Sequence, residues 1–403
     1  MKIIGINASN YGCTGLINLG ILDLAEKNGM ETYSVCGKGR TTLKKRLKNQ
    51  IYVGNSFSRK IHSMISFYSG YQLIGSFIST NLLVKKLEEI KPDLIHLHIM
   101  HTSYINMSVL IKYINKNNIP VVWTMHDCWA FTGQCPYFDS IDCQKWKSGC
   151  NKCPQLKRYP ASKWFDHSNI NYSEKKRLFT SIEKMVIVTP SEWLAGLIKE
   201  SFLNKYAIRT IYNGIDTSFF YPRKSNLRSM YNLRDSFVVL GVAGSWEERK
   251  GLIYFAELAK KHIEDISIVI IGVNDENSKL LPESIIKIKH TFDRDELAEW
   301  YSTADVFLNP TLEDNFPTVN IEALSCGTPI ITFNTGGSPE AIDSETGIVV
   351  AKGDFSSLCD AVITMKNEVF RNNKIDACVR RASNFDQEKA FLEYINLYQE
   401  MIC

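Results

Sequence analysis

The chain has 403 residues, 44% of them hydrophobic and 22% charged, a composition that excludes a disordered or low-complexity protein and, at this length, predicts two domains. Its net charge of +4 is unevenly divided: residues 1–180 hold 24 Lys and Arg against 11 Asp and Glu, +13, whereas residues 181–403 carry −9. A basic first half favours anionic partners, expected here to be a membrane surface and not nucleic acid. No apolar run approaches the roughly eighteen residues of a membrane span, and the amino terminus enters a strand without a signal sequence. The chain is therefore expected to be cytoplasmic, at most peripheral on the inner face of the cell membrane.

Short apolar strands alternate with amphipathic helical stretches throughout, the pattern of parallel sheets covered by helices, so the fold class is α/β. Strands are predicted at 2–7, 32–36, 94–97 and 121–125, with a helix over 16–28. A strand at 185–189 is expected to open the second half, where strands at 237–243, 267–271, 306–308 and 329–333 alternate with helices such as 252–262 and 295–302. The boundary is placed at 175–190. Residues 387–401 read as an amphipathic helix with Phe391, Tyr394, Ile395 and Tyr398 on one face.

Gly12-Cys-Thr14-Gly15 follows the first strand and opens a helix, which lets backbone amides approach a phosphate or an acceptor closely. His96 and His98 are read as alternating across a strand, so that one of them, His98, faces the functional edge. His126 and Asp127 end the strand 121–125. Five of the eleven cysteines crowd between Cys128 and Cys153, and a long chain without a signal sequence is not expected to use them as a disulfide scaffold. Cys135, Cys143, Cys150 and Cys153 are spaced C-x7-C-x6-C-x2-C, and the closing pair is a chelating knuckle. A structural zinc is expected there, with free thiols or disulfides as the alternatives.

Gly244-Ser-Trp-Glu-Glu-Arg249-Lys250-Gly251 follows a strand and precedes a helix, so its cations and amides are expected at the sheet edge, where a leaving diphosphate needs positive charge. Asp293-Arg-Asp295 mimics a metal-binding acid pair, but Asp293 with Glu296 reads better as a helix cap. The most specific stretch is 309–340, NPTLEDNFPTVNIEALSCGTPIITFNTGGSPE, in which a strand ends in an acidic loop, a helix follows and a Cys-Gly-Thr-Pro turn leads to the next strand.

That stretch resembles the donor-site signature of the family 4 retaining glycosyltransferases of GT-B fold, which pairs two acids across seven positions, here Asp314 and Glu322. Asp stands where Glu is usual, Asn315 and Pro317 where Gly is common, and Ser245 where an Arg is common. The resemblance implies two Rossmann-like domains with parallel sheets facing an interdomain cleft: an acceptor domain at 1–180, a nucleotide-sugar domain at 181–380, and a final helix, 381–403, returning toward the first.

By the same resemblance, Asp314, or the adjacent Glu313, contacts the transferring sugar, Glu322 the ribose, and Arg249 and Lys250 the diphosphate. Gly15, Gly244, Asn315, Phe316, Pro317 and Thr318 line the donor. His126 is the cleft histidine of the family, and Gly12, Thr14, His98 and Asp127 face the acceptor. Catalysis is then expected to need no cofactor, with a UDP- or GDP-sugar as donor and a glycan or lipid-linked acceptor. The stretch 126–154 resembles transferases of bacterial O-antigen, capsule or exopolysaccharide synthesis. An epimerase or phosphorylase of the same fold would need another carboxylate pattern or a lysine-held cofactor; a non-catalytic glycan-binding relative would have Asp314 in place of a catalytic Glu.

Overall fold

The computed structural model describes residues 1–38, 49–289, 293–366 and 374–402. The chain divides into two compact units, one of Met1–Tyr212 with Ala390–Cys403, the other of Asn213–Lys389.

In the first unit, β1 (Lys2–Ser9), β2 (Glu31–Lys38), β3 (Gln50–Tyr52), β4 (Leu94–Leu97), β5 (Val121–Thr124), β6 (Met185–Thr189) and β7 (Ala207–Thr210) form one sheet in the order β3-β2-β1-β4-β5-β6-β7. Every pairing is parallel, so each strand must be followed by a crossover, and both faces are covered. The pleat sorts the side chains of β1: Ile4 and Ile6 enter a core with Val35, Ile95 and Leu97, while Ile3 enters the opposite core with Ile21 and Leu22 of α1 (Gly12–Lys27). Helices α2 (Ser56–Ser69), α3 (Phe77–Ile90) and α4 (Ser168–Phe179) belong to the same unit.

The strand expected to open the second half is β6 of this first sheet, in register with β5 from Val121↔Met185 to Thr124↔Val188. The boundary therefore falls after Tyr212, not at 175–190. Apolar patterning marks a strand but does not say which neighbour will satisfy its backbone groups.

The second unit holds β8 (Phe237–Val242), β9 (Ile266–Val273), β10 (Ile286–Lys289), β11 (Val306–Asn309), β12 (Ile330–Phe333) and β13 (Gly347–Val350), ordered β10-β9-β8-β11-β12-β13 and all parallel. Its helices include α5 (Leu252–Lys260), α6 (Arg294–Thr303) and α7 (Thr318–Ser325), and Phe255 packs with Val239, Ile270, Leu308 and Ile331.

The last helix, α8 (Gln387–Ile402), carries the chain back to the first unit from Ala390 onward. Phe391, Tyr394, Ile395 and Tyr398 are all buried against Ile3, Ile21 and Leu22, as their helical spacing required. A Cβ at Gly20 would lie 2.4 Å from the ring of Phe391, so a glycine on α1 permits this approach. Among the described residues no helix is long and apolar enough to cross a membrane.

In each sheet the strand order reverses beside a central strand: β1 lies between β2 and β4, and β8 between β9 and β11. The loops leaving the carboxyl ends of such neighbouring strands diverge to opposite faces, which leaves a crevice where open α/β sheets hold ligands. The loops after β1, β4, β8 and β11 carry the motifs singled out above.

Candidate functional site

In the second unit, the chain leaves β8 through the exposed Gly244 and Ser245, makes one helical turn over Glu248–Lys250, and enters α5 after Gly251. Gly251 has φ +72°, and a Cβ there would stand 2.1 Å from the carbonyl oxygen of Pro310. Only glycine allows this loop to touch the one following β11. The contact continues through the Leu312 N–H, which donates to the Arg249 carbonyl at 2.7 Å, and through Arg249 Nη1, which donates to the Glu313 carbonyl at 3.1 Å. Lys250 Nζ then meets Asp314 Oδ2 at 2.5 Å. The two most diagnostic stretches of the sequence thus form one charged constellation.

The acidic loop is fixed from its other side. Gly336 has φ +56°, and a Cβ there would lie 1.7 Å from the Asp314 carbonyl oxygen, while the Gly337 N–H donates to the Asn315 carbonyl at 2.7 Å. The Thr-Gly-Gly segment after β12 is a clasp on the loop. Asn315, Phe316 and Pro317 are buried; Phe316 packs on Phe385 with ring centroids 5.4 Å apart, and its carbonyl accepts from Asn213 Nδ2 at 3.2 Å. Glu313 is 4% exposed, and Asp314 is the adjacent carboxylate that meets the lysine.

Helix α7 starts after Pro317, whose side chain does not cap its first amides, and such amides carry partial positive charge. Asn320 braces its first turn, accepting from Asn309 Nδ2 at 2.8 Å and donating to Ser338 Oγ at 3.0 Å. One turn further on, Glu322 accepts from Tyr301 Oη at 2.9 Å. Burial raises the Glu322 carboxyl above its ordinary range, against the pull of Tyr301 and Arg294. Asp293 caps α6 by accepting from the Asp295 N–H at 2.9 Å, and Asp295 pairs with Arg223 at 2.5 Å.

The corresponding edge of the first unit is built differently. Gly12 takes φ +73° at the start of α1, and Gly15 is buried so closely that a Cβ would stand 2.9 Å from the Ser9 carbonyl. Asn7 ties this loop to the one after β4: its Nδ2 donates to the Ser9 carbonyl at 2.9 Å and to Thr14 Oγ1 at 3.4 Å, and its Oδ1 accepts from the Ile99 N–H at 3.1 Å. His98 Nδ1 and His126 Nε2 are 3.0 Å apart, and the buried His98 Nε2 has no hydrogen-bond partner among the described residues.

The reading of His96 and His98 on opposite faces is corrected here. Residues two apart in a strand share a face, and these rings lie 4.0 Å apart. Depth separates them instead: His96 lies within β4, bonded to Tyr398 Oη at 2.6 Å and Thr124 Oγ1 at 2.8 Å under α8, whereas His98 stands just past the strand end.

Burial holds the His126 imidazole down at about 4, with Asp127 opposing, and holds His98 well below the ordinary range, helped by its two histidine neighbours. Both are neutral near pH 7. Burial alone would raise the Asp127 carboxyl, but His101, at 2.9 Å, and the Trp129 N–H, also at 2.9 Å, bring it below its usual range. His101 was not singled out from the sequence; its link to Asp127, 26 residues on, exists because β4 lies beside β5. Cys135, Cys143, Cys150 and Cys153 line a separate small cavity in the segment after β5.

Residues 24–219 match the family model described as Glycosyltransferase Family 4, and residues 237–368 the model described as Glycosyl transferases group 1. The chain is 22% identical over 322 residues, 77% of either chain, to the colanic acid biosynthesis glycosyl transferase WcaC of Escherichia coli K12. It is 28% identical over 222 residues, 51% of this chain and 57% of the other, to the UDP-Gal:alpha-D-GlcNAc-diphosphoundecaprenol alpha-1,3-galactosyltransferase of Escherichia coli. The crystal structure of Anabaena Alr3699/HepE in complex with UDP-glucose superposes with a TM-score of 0.70 at 14% identity, covering 99% of this chain and 100% of that one, which shows a common fold. With two parallel sheets, a loop-and-helix motif at each strand-order reversal, and family models matching both units, the chain belongs to the family 4, group 1 glycosyltransferases of GT-B fold.

Proposed function

We propose that this glycosyltransferase moves a sugar from a UDP-sugar, with retention at the anomeric carbon, onto a lipid-linked glycan in the assembly of a bacterial surface polysaccharide. The observation that carries the reading is the meeting of Arg249 with the Glu313 carbonyl and of Lys250 with the Asp314 carboxylate, in the loop that leads into α7. As the bond to the anomeric carbon breaks, the departing diphosphate gains negative charge, which Arg249, Lys250 and the helix amides are suited to neutralise. Asp314 accepts from sugar hydroxyls, and Glu322, held by Tyr301, accepts from the ribose. The acceptor hydroxyl attacks from the face the diphosphate leaves, and its proton passes to a leaving phosphate oxygen. In the first unit, the neutral His126 and His98 present uncharged hydrogen-bonding groups at their own sheet edge. The UDP-sugar donor and the lipid-linked acceptor follow the names of the relatives and of the UDP-glucose complex.

The test is product analysis with a panel of UDP- and GDP-sugars on a lipid diphosphate-linked acceptor, with the anomeric configuration read by NMR. Transfer from a UDP-sugar with an unchanged configuration, persisting in EDTA, is expected. An inverted product would overturn retention, and nucleotide binding without transfer to any acceptor would favour a non-catalytic relative.

A membrane-borne acceptor fits the first unit. Phe57, Ile61, Met64 and Ile65 are exposed along one face of α2, and Phe77, Ile78 and Leu82 along α3, with Lys60, Lys85 and Lys86 exposed beside them. Apolar side chains flanked by cations suit the interface of an anionic inner leaflet. The sequence between Arg40 and Lys60 is rich in cations; of these, Lys44, Lys45, Arg46 and Lys48 lie outside the described residues, and Arg59 is partly turned inward, donating to the Gly37 carbonyl. Sedimentation with anionic vesicles should be salt-sensitive and reduced in Phe57→Glu/Ile78→Glu; equal recovery of that variant, or equal recovery with neutral vesicles, would refute this docking.

A further inference from the structure

Between β5 and α4 the chain runs through three single helical turns, Trp129–Phe131, Asp139–Ile141 and Lys145–Lys147, without a strand. Its apolar centre is small: Phe131, Phe138 and Trp146, the last two stacked at 5.1 Å. Around that centre, Cys135, Cys143, Cys150 and Cys153 line one cavity of about 20 Å³. They come from separate turns of an irregular segment, so their convergence is a product of the fold.

Backbone amides reach two of these sulfurs. Cys150 Sγ accepts the Gly133 N–H at 3.1 Å, and the Cys153 sulfur accepts the N–H of Gln155. A Cβ at Gly133 would lie 2.6 Å from the Cys150 Cβ, so glycine is needed for that approach. Lys145 Nζ clamps the closing turn, donating to the Asn151 and Lys152 carbonyls at 3.0 and 2.9 Å. Behind the segment the buried Lys175 donates to Trp129 O at 2.8 Å, Thr132 O at 3.0 Å and Gln72 Oε1 at 3.2 Å, all uncharged oxygens.

We propose that Cys135, Cys143, Cys150 and Cys153 bind one structural zinc ion that orders residues 128–167. Four thiolates and a divalent ion carry a net charge of about −2, which Lys145 and Lys175 offset. Cys135 and Cys153 are hydrogen-bonded to each other, and among the described residues no three His, Cys, Asp or Glu side chains are gathered as metal ligands. Binding therefore draws the sulfurs inward to Zn–S distances of about 2.3 Å and sends the thiol protons to solvent. Zinc suits four thiolates in tetrahedral array, and so does iron, which the test distinguishes.

The experiment takes the full-length chain, purified without added metal or metal-affinity resin, and measures its metal content by mass spectrometry. It then follows zinc release with a colorimetric chelator while an organomercurial titrates the thiols. About one equivalent of zinc, released as four thiols react, is expected, and cobalt exchanged into the wild-type protein should show intense tetrahedral thiolate bands. Zinc should fall below about a tenth of an equivalent in Cys143→Ser and in Cys150→Ser, with a lower Tm, and stay unchanged in Cys359→Ser, a thiol of the second unit. The wild-type measurements decide the matter even if the serine variants fail to fold. Metal-free protein with four freely titrating thiols, iron in place of zinc, a disulfide within the segment, or zinc retained in Cys143→Ser/Cys150→Ser would each overturn the proposal.

Discussion

The two sheets reverse their strand order in the same way and place their motif loops at the same kind of edge, yet they equip that edge with opposite chemistry. In the second unit the loops after β8 and β11 bring cations and carboxylates together, with Lys250 on Asp314 and Arg249 on the Glu313 carbonyl. In the first, the loops after β4 and β5 gather His98 and His126, which burial keeps neutral, with one carboxylate, Asp127, hydrogen-bonded to His101. Topology selects where a ligand can lie, and side-chain burial selects whether that place presents charge or uncharged hydrogen-bonding groups.

The comparison can be broken most directly at Lys250. If the charged edge stabilises a leaving diphosphate, Lys250→Ala should lower kcat by about two to three orders of magnitude, or about 3–4 kcal/mol in the barrier, with an unchanged circular dichroism spectrum. Turnover within a few-fold of wild type would remove the donor role from this edge.

The neutral edge is tested by acid. Burial holds His96 at about 3 and His126 at about 4, whereas an unfolded imidazole titrates at about 6.5. Between those limits the unfolded chain binds protons that the fold refuses. The stabilisation is therefore complete above pH 6.5 and is lost as pH falls toward 4, by at most about 1.4 kcal/mol per pH unit for each histidine. Stability from urea unfolding of the first unit should drop by about 2–4 kcal/mol between pH 7 and pH 5. An unchanged value would show that these imidazoles are already charged.

A finer distinction lies within the acidic loop. Because Asp314 faces Lys250 and Glu313 is almost wholly buried, Asp314→Asn should reduce kcat/KM about tenfold more than Glu313→Gln, about 1.4 kcal/mol. The reverse ranking would transfer the sugar contact to Glu313. A test of stability and not of turnover concerns Gly336, whose φ of +56° and contact with the Asp314 carbonyl leave no room for a side chain. Gly336→Ala should cost about 1–3 kcal/mol of stability, read as a lowered Tm, and an unchanged Tm would mean that the clasp is loose.

Local patterns reached much of this. The loop-then-helix order at 244–252 and 309–325 puts each motif at a sheet edge, because a parallel strand must end there before its crossover begins. Asp293 was legible as a cap because capping is decided within three residues. The face of α8 was legible because helical periodicity is local. The histidines were only half legible: the motif found His98 and His126, but placing His96 across the strand from His98 ignored the two-residue repeat, and the His101–Asp127 pair depended on which strands became neighbours.

The sequence by itself therefore determined the fold class, the strands and helices that build it, and the chemical types standing at each strand end, since all of these follow from hydrophobic period, turn residues and spacing within a few residues. Tertiary structure alone decided that β6 joins the first sheet, that Lys250 meets Asp314 across 64 residues, and that four cysteines share a cavity. Those outcomes rest on strand pairing and burial between distant segments. A one-dimensional pattern carries no distance of that kind, and only the packed chain supplies it.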